Sequence, residues 1–485
     1  MPLEDPAHTL APILTRLGEE ARRFLGGLDT RPVRAADPAA AARAFGGALP
    51  SDGVGAPAAL DELIAGAAPA LVASGGPRFF HLVVGGSTDA ALGADWLATL
   101  WDQIAASSLT SPLAVRLEEV AVAWLREAFE LPAGAGVLTT GGHGANLIGL
   151  LAARQWWGER HGRDVSEEGL SGLPRMPVLS SGLLHASAVK ALAQLGLGRR
   201  AAQRFAADPT GRADLAALEA ALVALDGAPA VIVANAGDVN TGAFDPLDAM
   251  ADLAERYGAW LHVDGAFGLF ARVSPRTAAL ARGAERAQSI ASDCHKWLNV
   301  PYDCGVAFVQ DKRLLVRANK LVADYLPREG SDAGPGTAHG AVLSNIALES
   351  SRRARGLAVW ATLRASGRAG LRALVEGSLD RAQELAALID AAPDLERLAP
   401  VPLNIVCFRA HPVGARKRDL DALNERLARA VLEDGRVFLG STRYAGRVAL
   451  RAAFVNHRTR PEDVQLAGQV LAGLLAQAAF TDPIH

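Results

Sequence analysis

From Val137 onward, short apolar runs alternate with longer stretches in which apolar residues recur every three or four positions. This alternation restricts the fold more than any other feature of the chain. The runs VLTT, PVLSS and AVIVAN have strand length and β-branched content, while residues 146–159, 186–195 and 246–257 have helical spacing. Strands that are apolar on both faces need helices to cover them. Repeated strand, helix and strand therefore predicts an α/β architecture built on a largely parallel sheet. Trp260–Val263, Ser289–Cys294 and the run GVAFVQ from Gly305 extend the same pattern.

At 485 residues the chain exceeds what one core usually holds, so a large domain with smaller companions is expected. The first thirty residues have helical spacing, and the Pro, Ala and Gly-rich sequence to about Pro57 reads as an irregular arm. A Gly, Asp and Pro-rich loop from Arg328 to Gly340 is long enough to act as a lid. Residues 352–365 predict a helix leading out of the large domain, and the strands NIVCFR and VALRAAF belong to a smaller α/β unit. The expected division is an N-terminal helical arm and segment over 1–90, a large cofactor-binding domain over 91–366 and a small domain over 367–485. There is no repeat of solenoid period.

Formal net charge is −3 with both signs interspersed, which argues against nucleic acid or polyanions as partners and favours a small molecule. The three cysteines, Cys294, Cys304 and Cys407, do not suit a disulfide framework and favour a reducing compartment. No C-x2-C or H-E-x-x-H spacing points to a metal. The start, MPLEDPAHTL, lacks a basic region followed by an apolar core, and no apolar stretch is long enough to span a bilayer. A soluble, cytoplasmic protein is expected.

The chemistry concentrates at strand ends, where open α/β sheets place their ligands. HVDGAFG puts Asp264 at the end of one strand, and SDCHKWL puts Lys296 just beyond another. A lysine can hold the aldehyde of pyridoxal 5'-phosphate as a Schiff base, while an aspartate keeps the pyridine nitrogen protonated. Taken singly, Asp264 could equally cap the next turn and Lys296 could be a solvated surface residue. Upstream, LTTGGHGANL joins strand to helix through glycines whose N–H groups can close around a phosphate, although tight turns need glycine in any case. Gly142 and His143 lie in this turn; the His143 side chain could reach the phosphate or point to solvent. His185 opens a helix after PVLSS and could lie flat on a cofactor ring or be structural. Asn240, in NTGAFDP, could hydrogen-bond near the ring or serve as a turn and helix cap.

In this order, TTGGHGANL, HASAVKAL, GDVNTGAFDP, HVDGAFG and SDCHKWL resemble the group II pyridoxal-phosphate-dependent amino acid decarboxylases. That family includes aromatic-amino-acid, histidine and glutamate decarboxylases. PRFFHLVVGG near Phe79 and LRAAFVNHRT near the C-terminus share the likeness, which covers most of the chain after about residue 60. The resemblance implies fold type I, the aspartate-aminotransferase type, and a homodimer with its active site between subunits and the N-terminal segment wrapped around the partner. It implies Lys296 as the Schiff-base lysine, Asp264 as pyridinium partner, His185 as the ring-stacking histidine and Ala266 packed on the cofactor. Gly142 and His143 match phosphate-contacting positions, and His295 matches the family histidine near the phosphate or the reacting centre.

Three departures from the family stand out. A serine is common where His143 stands, and Gly237-Asp238-Val239 replaces a frequent Gly-Thr-Thr. The mobile-loop tyrosine that returns a proton in aromatic-amino-acid decarboxylases falls near Leu343, with His339 and Tyr325 as the nearest substitutes. The expected activity is decarboxylation of an L-amino acid. Transamination, aldehyde formation or carbon–carbon cleavage on the same cofactor is the second reading, and a cofactor-binding protein without activity the third. Phe79, Phe80 and His81 match the family's substrate-side segment, with Trp101 close by, though such aromatics could equally be packing.

Overall fold

A computed structural model describes residues 6–321 and 341–477, with side chains from residue 10. Seven strands form the large sheet: β1 (Ala135–Thr139), β2 (Val178–Ser180), β3 (Ala202–Arg204), β4 (Val231–Asn235), β5 (Trp260–Asp264), β6 (Ser289–Asp293) and β7 (Gly305–Val309). Their order is β1-β7-β6-β5-β4-β2-β3. The pairs from β6 through to β3 are parallel, whereas β7 runs antiparallel to both β1 and β6. The reversal follows from the connection. The link from Cys294 to Cys304 carries no helix and is shorter than the dozen or more residues a parallel crossover requires.

Alternate strand residues feed two cores. Leu138, Leu179, Ile232, Val263 and Ile290 pack on one face; Val137, Val178, Val233, Trp260 and Ala291 pack on the other with helix Gly142–Arg160. This period-two division is why the strands read as continuous apolar runs. Each fully buried aliphatic side chain contributes about 1.5–3 kcal/mol, so both faces hold the sheet firmly. Because β7 is reversed, the carboxyl ends of β1, β4, β5 and β6 emerge along one edge. Thr139 and Asp293 both lie opposite Gly305, Asp264 lies opposite Ala291, and Asn235 lies opposite Asp264.

Helix Gly356–Ala391 leads to the second sheet and breaks at Gly367, whose φ of 60° and ψ of −173° are not helical. Arg352 precedes the helix rather than opening it, because its guanidinium is drawn into a buried ion pair with Glu118 at 2.8 Å. Glu118 also accepts the Leu138 N–H, and Arg352 donates to the Leu138 carbonyl, so the pair grips the edge strand β1. The second sheet has strands β8 (Leu395–Arg397), β9 (Ile405–Ala410), β10 (Gly440–Tyr444) and β11 (Arg447–Ala453) in the order β10-β11-β9-β8, all antiparallel.

Helix Pro6–Gly26 is the expected N-terminal helix, and the Pro, Ala and Gly-rich stretch from there to helix Ala56–Ala67 is irregular apart from the short helix Ala40–Ala44, as its composition predicts. Phe80 is almost wholly buried beside Phe454, with ring centroids 4.9 Å apart, and its N–H bonds the Phe438 carbonyl. Phe79 packs edge-on against Phe438 and His81 stacks on the same ring. Phe79 and Phe80 are therefore packing residues that pin the N-terminal segment to the second sheet. Trp101 ends helix Asp89–Trp101 and is exposed. The loop Arg328–Gly340, with His339, and Tyr325 lie outside the described residues. Leu343, where the family tyrosine would fall, is buried in a short 3-10 turn. Among the described residues no helix is long and apolar enough to cross a membrane.

Candidate functional site

Asp264 ends β5 with its carboxylate buried at the sheet edge. Its Oδ2 accepts from Asn146 Nδ2 at 2.9 Å and lies 3.4 Å from Ser187 Oγ; its Oδ1 accepts the Ala266 N–H at 3.2 Å. Among the described residues no lysine or arginine forms a salt bridge with it. A buried carboxylate without a cationic partner is costly, and one held by hydrogen bonds alone can receive a positively charged ligand.

Ser187 joins Asp264 to two histidines. His185 Nδ1 lies 2.7 Å from Ser187 Oγ and accepts the Ser187 N–H at 3.2 Å. That acceptance places the ring proton on Nε2. His143 Nδ1 lies 3.2 Å from the Ser187 carbonyl, so His143 turns toward this loop rather than outward.

Lys296 stands three residues beyond β6, with its Nζ 2.8 Å from Asp293 Oδ2. Asp293 Oδ1 also accepts the Gly142 N–H and sits 3.3 Å from His295 Nε2. His295 Nδ1 accepts the Cys304 N–H at 3.2 Å, and burial lowers the pKa of the ring, so it is neutral with its proton on Nε2. The motif is held from below: Trp297 is fully buried and donates to Ser378 Oγ at 3.1 Å. Asn299, in the left-handed region at φ 55°, donates to the Trp297 and Val455 carbonyls and accepts the His457 N–H. Gly85 completes the turn, because a Cβ there would come within 1.8 Å of the Lys296 carbonyl oxygen.

Gly142 opens the helix Gly142–Arg160, four residues earlier than its apolar spacing suggests. The helix has no side-chain cap at Gly141 and no acidic residue in its first turn. A Cβ at Gly141 would lie 2.9 Å from His295, and one at Gly142 would lie 2.6 Å from Asp293. The glycines thus admit the Asp293 carboxylate and the His295 ring against a helix N-terminus, whose remaining first-turn amides and dipole favour a bound anion. Asn240 Oδ1 accepts from Thr442 Oγ1 at 2.7 Å, tying it to β10.

Comparisons with known proteins place the chain in a family. The model of the pyridoxal-dependent decarboxylase conserved domain matches residues 60–411. The chain belongs to that family. An L-2,4-diaminobutyrate decarboxylase of Rhizobium meliloti (strain 1021) is 35% identical over 425 residues, covering 84% of this chain and 81% of the relative. An aromatic-L-amino-acid decarboxylase of Bacillus atrophaeus is 27% identical over 412 residues, covering 84% and 83%. The crystal structure of Oryza sativa TDC with PLP and tryptamine superposes with a TM-score of 0.88 at 25% identity, covering 98% of each chain. This decarboxylase therefore has fold type I and depends on pyridoxal phosphate.

The residues present suit that cofactor: a cation-free buried carboxylate, a lysine at the same edge and a helix N-terminus whose remaining amides favour an anion. The sequence reading missed Asp293, Asn146, Ser187 and Asn299. Asp293 was legible as an acidic residue three positions before Lys296. Asn146 and Ser187 were not, because their partner Asp264 is 118 and 77 residues away.

Proposed function

We propose that Lys296 is the cofactor lysine of an L-amino acid decarboxylase and that Asp264 faces the pyridine nitrogen. The observation that carries this reading is the buried, cation-free Asp264 at the same sheet edge as Lys296. When bound, pyridoxal phosphate supplies an aldehyde for an amine and a ring that takes up the electron pair left when carbon dioxide departs. Asp264 holds the ring nitrogen protonated by charge and by hydrogen bonding. Asp293 keeps the Lys296 amine at the strand end through their ion pair. Gly142 and the following helix turn, with His143 and His295 beside them, hold the phosphate. His185 and Ala266 would hold the ring, and His185, with its proton on Nε2, would supply an acid beside it. Asn240 steadies the rim of the site through Thr442.

The proposed domains are 1–90, 91–366 and 367–485, and the break at Gly367 supports the last boundary. The exposed Trp96, Leu100, Trp101, Ile104 and Leu109 form an apolar surface that supports a homodimer. Three free, buried cysteines support a cytoplasmic location.

The test is incubation with a panel of L-amino acids, including aromatic ones and 2,4-diaminobutyrate, with all products measured. Amine and carbon dioxide in equal amounts are expected. Keto acid or aldehyde as the main product would overturn the reading.

A further inference from the structure

Behind Asp264 runs a buried hydrogen-bonded chain that the proposed mechanism does not use. Trp260 Nε1 donates to Ser289 Oγ at 2.9 Å, and Ser289 Oγ lies 2.8 Å from His262 Nδ1. His262 Nε2 lies 2.8 Å from Asn146 Oδ1, and Asn146 Nδ2 donates to Asp264 Oδ2 at 2.9 Å. All five side chains are buried.

The direction of the chain is fixed by its ends. An indole N–H can only donate and an ionised carboxylate can only accept. Asn146 must therefore turn its amide nitrogen to Asp264 and its carbonyl to His262. The imidazole then carries its proton on Nε2, and its bare Nδ1 accepts the Ser289 hydroxyl. Every donor points toward Asp264, so the dipoles add in a low-dielectric interior. Burial pushes the His262 pKa down to about 4, which keeps the ring neutral and the donor order intact at neutral pH.

A second observation concerns the helix above. Gly149 lies within Gly142–Arg160, where glycine costs about 1 kcal/mol relative to alanine. A Cβ there would lie 2.6 Å from both Cε1 and Nδ1 of His262. The helix thus leaves room for the imidazole one turn beyond Asn146, where the ring packs against its backbone.

We propose that His262 is a positioning residue that, through Asn146, fixes the orientation of the Asp264 carboxylate as an acceptor for the cofactor's ring nitrogen. This inference rests on the Asp264 reading above. The relay delivers the effect of Trp260 and Ser289 to the ring without touching it. Removing it leaves Asp264 in place but lets the carboxylate rotate and weakens its hold on the ring proton.

The test uses holoenzyme loaded with pyridoxal phosphate labelled with nitrogen-15 in the ring, at fixed neutral pH. In His262→Phe the ring-nitrogen shift should move toward the unprotonated value. The kcat should fall about tenfold with KM within about twofold, the size of loss seen when outer partners of a bound group are removed. His262→Gln, which can still donate to Asn146, should recover part of both. Ser289→Ala breaks the chain one step further out and should move the nitrogen shift in the same direction even if His262→Phe does not fold. An unchanged nitrogen shift in folded His262→Phe, or in Ser289→Ala, would overturn the relay. Asp264→Asn in the same series separates the two readings. If that variant keeps its turnover, the assignment of Asp264 itself fails; if it alone loses turnover, only the relay fails.

Discussion

His262 and Asp264 are two positions apart on β5, so their side chains leave the strand on the same face, under helix Gly142–Arg160. One is an uncharged base and the other a buried acid, and each depends on Asn146. The neutrality of His262 has a measurable consequence for stability. Its pKa is lowered from 6.5 to about 4 in the folded protein, so between those values the unfolded chain binds the extra proton. Stability is then fully present above pH 6.5 and is lost as pH falls toward 4. At about 1.4 kcal/mol per unit, the loss is about 3 kcal/mol. Denaturation midpoints followed from pH 7 to 4 should fall more steeply in wild type than in His262→Gln. Equal slopes would contradict the burial of a neutral imidazole. At the same scale, Asp264→Asn should retain cofactor absorbance but lose activity by about a hundredfold or more, because an amide cannot hold the ring proton as a carboxylate does. Near wild-type turnover would leave Asp264 a structural residue.

Among the elements, the edge strand β1 depends on a contact that comes from far along the chain. The Arg352–Glu118 pair is buried at both ends and bonds both backbone groups of Leu138. Breaking one partner strands the other charge, so Arg352→Gln should destabilise the protein by about 3–5 kcal/mol. Arg352→Met with Glu118→Leu should cost less than the single change. Urea unfolding of the three proteins checks this, and a single variant as stable as wild type would refute it. Local periodicity was enough to place the central strands β4 and β5, because their apolar runs are buried on both faces. It missed the first turn of helix Gly142–Arg160, whose glycines serve the site and not the core. The short β3 carries no apolar signal, with two of its three residues exposed. Lys296 and Asp264 were readable because their motifs are contiguous. The residues that orient them were not, because Asn146, Ser187 and Asn299 act across long sequence separations.

For the whole molecule, the apolar side chains of Trp96, Leu100, Trp101, Ile104 and Leu109 lie exposed along helix Asp89–Trp101 and the loop after it. Charge placed there should prevent association without disturbing either sheet. Sedimentation of Trp101→Asp should show a shift from dimer toward monomer, with activity lost in parallel; a fully active monomer would contradict an active site completed by two subunits. The account as a whole stands on Lys296 as the residue that holds the cofactor. Reduction of the holoenzyme with borohydride, followed by peptide mapping, tests that most directly. The pyridoxyl group should be found on the peptide containing His295, Lys296 and Trp297, whereas a pyridoxyl group on another lysine, such as Lys190, would contradict the account.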